Sequence, residues 1–172
     1  LGYDGFRSGQ RQAVETLLRE RRLLFVAPTG GGKSLVYQLS ALLLPGTTVV
    51  VSPLIALMND QVSALERRGI PATFLASTLS SEELGRRIAG FARGAYKLVY
   101  VAPERLQFSG FQALLSELRC PLVAVDEAHC ISEWGHDFRP SYRRLRGARY
   151  KLGGPRTIAL TDPAGGGNTG RY

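Results

Sequence analysis

Cysteine is nearly missing from this sequence: 172 residues hold two, Cys120 and Cys130. They fall in different predicted elements and have no partner at a metal-ligand spacing. A structural disulfide or zinc site is therefore not expected, and both thiols are read as reduced in a cytosolic setting. Long apolar runs are missing too. The runs present, such as 23–27 and 122–125, fall far short of the roughly 20 residues a membrane helix requires. The opening LGYDGFRSGQRQ has no charged start followed by an apolar block, so no secretory leader is read there. Neither a low-complexity tract nor an internal repeat is found. Lysine is scarce, 3 against 19 arginines. Guanidinium groups suit phosphate recognition, although coding bias produces the same excess.

What is present describes one globular domain. The chain is 44% hydrophobic and 21% charged, long enough for a real core and too short for two domains. Its net charge of +8 is uneven. Of the 22 Lys+Arg and 14 Asp+Glu, residues 138–172 hold 8 and 1, leaving 14 against 13 in the remainder. That asymmetry fits an anionic partner, and it equally fits a solvated, arginine-rich helix face.

Short β-rich runs alternate with amphipathic stretches. Strands are expected at 23–27, 47–52, 72–75, 97–101, 122–126 and 157–161, and helices at 8–21, 33–44, 55–68, 81–91, 110–118 and 141–150. TTVVVS and LVAVDE are apolar at nearly every position, as burial on both faces of a parallel sheet demands. The expectation is an α/β domain, a mostly parallel central sheet with helices on both faces. Ligands of such sheets bind beyond the carboxyl ends of the strands. The unusual residues fall there, at 28–34, Pro53, 103–105 and 126–129. Residues 162–172 are glycine-rich and aperiodic and are read as an irregular tail.

Within VAPTGGGKSLVYQ, three glycines would be a poor choice for a strand or a helix. Between a strand and a helix they form a phosphate loop. Bare amides of Thr29, Gly30, Gly31 and Gly32 surround the phosphates, Lys33 reaches the outer ones, and Ser34 ligates Mg²⁺. Ala27 replaces the first glycine of the usual pattern, and the later glycines are expected to supply the curvature. LVAVDEAHC adds Asp126 to hold the Mg²⁺ and Glu127 to activate water. Two adjacent acids at the end of an apolar strand are costly for structure alone. His129 is open between a core hydrogen-bonder and a site residue. CISEWGHDFRPSYRRL interleaves Trp134, His136, Phe138 and Tyr142 with Arg139, Arg143 and Arg144. That suits single-stranded nucleic acid, and it also suits Trp134 and Phe138 as core anchors.

From Leu1 to about Thr161 the chain resembles the RecQ DNA helicases of helicase superfamily two. LGYDGFRSGQ resembles their nucleotide-base motif, APTGGGKSLVYQ motif I, VVSPLIALMNDQV motif Ia, YVAPERL motif Ib, DEAHC motif II, and ISEWGHDFRPSYRRL their aromatic-rich loop. The combination of DEAHC with WGHDFRP is the specific part. The resemblance implies a RecA-like P-loop NTPase lobe over residues 1–161, with ATP and Mg²⁺ as cofactors. Tyr3 would stack on adenine, and Arg7 and Gln10 would contact it. Trp134, His136, Phe138 and Arg139 would sense single-stranded DNA and, with His129, couple it to hydrolysis. Ser52, Pro53, Glu104 and Arg105 would lie along the DNA backbone, while Asn59, Asp60 and Gln61 would secure the motif Ia loop.

The implied activity is that of the first motor lobe of an ATP-dependent three-prime to five-prime helicase acting on single-stranded and duplex DNA. Its second RecA-like lobe, the source of the arginine fingers, is not among these residues. No membrane partner is expected, and the location would be cytoplasmic at the nucleoid, or nuclear in a eukaryote. Two other readings stand beside it: an RNA-directed DEAH-type ATPase, and a non-catalytic nucleotide- or DNA-binding module. Ala159-Leu160-Thr161 leads into Asp162-Pro163-Ala164, where the family usually continues Ala-Thr-Ala. The resemblance stops at that point.

Overall fold

Six short apolar segments pair into one sheet in the computed structural model, which describes residues 2, 4–118, 120–129 and 154–163. The strands are β1 (Arg22–Val26), β2 (Thr48–Val51), β3 (Ala72–Leu75), β4 (Leu98–Val101), β5 (Leu122–Val125) and β6 (Arg156–Thr161). Their order is β1-β6-β5-β2-β4-β3, and every neighbouring pair is parallel. The helices are α1 (Gln10–Glu20), α2 (Lys33–Leu43), α3 (Ile55–Glu66), α4 (Ser81–Ala92) and α5 (Ser109–Glu117), with a 3₁₀ turn at Pro103–Gln107. The expected helix at 141–150 and the aromatic-rich loop with Trp134, His136, Phe138 and Arg139 lie outside the described residues. So do Tyr3 and residues 164–172.

Crossover handedness explains where the helices go. The chain crosses the sheet in one direction from β1 to β2 to β3 and returns from β3 to β4 to β5. Right-handed crossovers then force the outgoing helices onto one face and the returning ones onto the other. Two cores result. Leu17, Val36, Tyr37, Met58 and Leu65, from α1, α2 and α3, pack on Val50, Leu98, Tyr100, Leu122 and Ile158. Phe91, Phe111 and Leu115, from α4 and α5, pack on the opposite side chains Val49, Val51, Val99, Val101 and Val123. The middle strands β2 and β5 are buried at every position, as are β3 and β4, so their near-continuous apolar character follows from having two covered faces. At α4, Ser80 accepts a hydrogen bond from the Glu83 amide at 3.2 Å, the capping contact expected of a Ser three residues before a Glu.

Because all six strands run the same way, every loop after a strand lies along one edge. Over β1, β6 and β5 that edge carries the glycine loop, Thr161 and the Asp126–His129 turn. Over β2 and β4 it carries Ser52, Pro53, Glu104 and Arg105. Among the described residues no helix is long and apolar enough to cross a membrane.

Candidate active site

The glycine loop holds its shape for three separate reasons. Gly30 and Gly32 each have φ of 75°, in the left-handed region that L side chains avoid. They supply the curvature that Ala27 was expected to leave to them. At Gly31 a Cβ would lie 2.7 Å from the Pro28 carbonyl oxygen, which accepts the Gly31 amide at 2.8 Å. The outer side of the loop is braced by α1 and the residues before it. The buried Gln10 amide donates to the Gly32 carbonyl at 3.0 Å, its Oε1 accepts from the Arg7 amide at 2.8 Å, and the Arg7 guanidinium donates to the Gly30 carbonyl. Arg7 and Gln10, implied as base contacts, are here engaged by the loop's own backbone. A Gly32→Ala Cβ would fall 2.3 Å from Gln10 Nε2 at an unfavourable φ. It is expected to destabilise the domain by about 2 kcal/mol, read as a lower urea midpoint.

Lys33 opens α2 and is 9% exposed. Its Nζ donates to the Ala27 carbonyl at 3.1 Å and pairs with the carboxylate of Asp162, which also accepts the Thr29 hydroxyl at 2.5 Å. Ser34, half-buried, follows on the first turn of α2.

β6 lies between the loop's strand β1 and the acidic strand β5, so its end is flanked by both. Past β5 the Asp126 amide donates to the Val51 carbonyl at 2.8 Å, and the Ala128 amide donates to the Leu160 carbonyl at 2.8 Å. These bonds hold Glu127 at φ of 50°, one of two described non-glycine residues with positive φ. Such strain, of order 1 kcal/mol, persists only where the surroundings over-determine it, and it clusters at functional sites. His129 Nδ1 lies 3.1 Å from Thr161 Oγ1 and 3.4 Å from Glu127 Oε2. His129 thus ties the acidic turn to the end of β6.

Burial, and then the neighbouring Glu127 charge, push the Asp126 carboxyl up from 3.8 to about 6, against the Glu127 amide, Lys33 and His129, which pull it down. The folded value lies above the unfolded one. Between about pH 4 and 6 the folded protein therefore keeps a proton that the unfolded chain has lost, and this group's contribution to stability falls as pH rises, by ~3 kcal/mol. Asp126→Asn is accordingly expected to gain stability relative to the parent across that window, measured by urea unfolding at a series of pH values.

Beneath the site, Tyr37 and Tyr100 hydroxyls meet at 3.3 Å, and the Gln38 amide donates to Tyr100 at 3.4 Å and to Gln61 Oε1 at 2.7 Å. Burial raises Tyr37 well above its ordinary value and Tyr100 to about 12, so both stay protonated. This network joins α2 to α3, and it reaches Gln61, implied above as securing the motif Ia loop. Sequence reading missed the two tyrosines, whose apolar surroundings look like ordinary core.

The other half of the edge is polar and incompletely paired. Ser52 is 1% exposed, and its Oγ has no hydrogen-bond partner among the described residues; nor does the buried Nε of Arg105. The Arg105 guanidinium lies 5.2 Å from the Phe108 ring, which is 57% exposed. Pro53 is half-buried and Glu104 exposed.

An all-parallel sheet with a glycine loop after one strand and an acidic pair after another, one strand apart, defines a RecA-like domain of the phosphate-loop class. Residues 7–161 match the DEAD/DEAH box helicase family, and the chain belongs to it. It is similar to an ATP-dependent DNA helicase RecQ of Bacillus subtilis, with 54% identity over 146 residues, 84% of this chain and 25% of that protein. With an ATP-dependent DNA helicase RecQ of Haemophilus influenzae it shares 44% over 164 residues, 95% of this chain and 26% of that protein. The chain thus spans about a quarter of the length of these relatives. In fold it is similar to the Hef helicase domain of Pyrococcus furiosus, with a TM-score of 0.70 at 22% identity, covering 91% of this chain and 32% of that one.

Proposed function

We propose that this chain is the first motor lobe of an ATP-dependent three-prime to five-prime DNA helicase. One observation carries the reading: the fold brings Lys33 and the strained Asp126-Glu127 turn to the two sides of the end of β6. A cation that grips phosphates and a carboxylate that takes a proton from water are the two parts that phosphoanhydride hydrolysis needs from one lobe. Thr29 to Gly32 offer amides, and the start of α2 favours negative charge. Ser34 and Asp126 suit Mg²⁺, which takes one or two protein oxygens and completes its shell from phosphates and water. Mg²⁺ there would neutralise charge developing on the transferred phosphoryl group. Asp126 would help hold it, and Glu127 is placed to accept the proton of the attacking water.

The half-edge over β2 and β4 is our candidate for the DNA backbone, because Ser52 Oγ and Arg105 Nε are buried donors still lacking acceptors. Trp134, His136, Phe138 and Arg139 serve as the single-strand sensor on the resemblance described above. A lobe that holds phosphate through such contacts binds DNA weakly, with an affinity that falls steeply with salt. Within these 172 residues we assign no arginine finger, so nucleotide binding with little hydrolysis is expected from them alone. Stimulation of ATP hydrolysis in the complete protein tests the substrate: DNA oligomers should stimulate and RNA oligomers should not. Stimulation by RNA alone would instead support the RNA-directed reading.

A further inference from the structure

Asp162 stands one residue beyond β6, between the glycine loop and the acidic turn. Both of its carboxylate oxygens face that loop. Oδ1 is buried in ion-pair contact with Lys33 Nζ and has no hydrogen bond of its own, and Oδ2 accepts the Thr29 hydroxyl at 2.5 Å. Lys33 is the side chain that, in the function proposed above, grips the nucleotide phosphates, and Thr29 belongs to the loop that surrounds them. The ion pair is largely enclosed, with side-chain exposures of 10% for Lys33 and 21% for Asp162. An ammonium so buried is costly unless its charge is matched. The Ala27 carbonyl accepts a hydrogen bond from Lys33 but supplies no countercharge. Asp162 gives the countercharge, in a carboxylate about the size of one phosphate face.

We propose that Asp162 is an internal competitor for the phosphate site, a carboxylate latch that sets nucleotide affinity. The inference rests on the reading that this loop binds nucleotide phosphates. Polyphosphate and Asp162 cannot both hold Lys33 and Thr29 without like charges meeting in a poorly solvated place. Asp126 and Glu127 already add negative charge on the other side of β6. Binding therefore requires the Asp162 side chain to withdraw, and apparent affinity falls with the fraction of molecules in which it has done so. A latch engaged in nine molecules of ten lowers that affinity about tenfold.

The test is an equilibrium titration with a fluorescent ADP analogue, in Mg²⁺ and in EDTA. The proteins are the 172-residue chain and its Asp162→Asn, Asp162→Ala and Lys33→Ala forms, with thermal midpoints measured without nucleotide. Both Asp162 variants are expected to bind about tenfold tighter in either buffer, while their nucleotide-free midpoints fall because Lys33 loses its partner. Affinity that is unchanged, or weaker in both buffers, overturns the latch and leaves Asp162 as a structural ion pair. Affinity weaker only in Mg²⁺ also overturns it, since Asp162 would then act on the metal side. Were the other three proteins to bind no better than Lys33→Ala, the phosphate-site reading would fail and take the latch with it. Binding by the parent above that blank, without a gain in the Asp162 variants, overturns the latch alone.

Discussion

Glu127→Gln is expected to lower DNA-stimulated ATP hydrolysis by the complete protein about 100- to 1,000-fold while leaving ATP affinity within about twofold. The side chain follows Asp126 at the end of β5, on a backbone turned to φ of 50° by hydrogen bonds to Val51 on one side and Leu160 on the other. Glutamine keeps the shape and the turn and loses the proton acceptor. A residue that only maintained structure would give a different result, with a lowered thermal midpoint and weakened nucleotide binding in parallel. Unchanged turnover would identify the chain as belonging to a binding module that does not hydrolyse.

Lys33→Ala is expected to weaken nucleotide binding by about 100-fold or more, measured by the same fluorescent titration. The loss is large because the cation sits at 9% exposure, where little water competes with the phosphate for it. The substitution also strands Asp162, which pairs with Lys33. A lower thermal midpoint without nucleotide is therefore expected as well. Lys33→Arg should not restore affinity: a planar, forked guanidinium does not fit a cradle built for a point charge on a flexible stem.

Much of the architecture was legible because burial wrote it into the sequence. β2, β4 and β5 are covered on both faces, and their apolar runs had no other reasonable explanation. β3 runs over Ala72–Leu75 as expected. β1 was placed one residue late, at 23–27. Its pairing with β6 begins at Arg22 opposite Thr157, and an exposed arginine at a sheet edge carries no apolar signal. The 3₁₀ turn at Pro103–Gln107 was not foreseen, being too short to show a helical period.

At the site, the glycines, Lys33 and the acidic pair were readable because each chemistry demands its own residue type at a fixed local spacing. The bracing of the loop by Gln10 was not readable in that way, nor was the bond from Thr29 to Asp162, since these contacts join residues 22 and 133 positions apart. One signal for Asp162 was present all the same. It is an acid directly after an apolar strand, the same feature that drew attention to Asp126.

The central claim is that the loop after β1 and the turn after β5 form one nucleotide site across the end of β6. Backbone amide chemical shifts of the ¹⁵N-labelled 172-residue chain, followed during titration with Mg²⁺ and a non-hydrolysable ATP analogue, test it most directly. The account predicts saturable shifts concentrated at residues 29–34, 126–129 and 161–162, absent in Lys33→Ala. Shifts confined to another part of the sheet, or none at millimolar nucleotide, would contradict it.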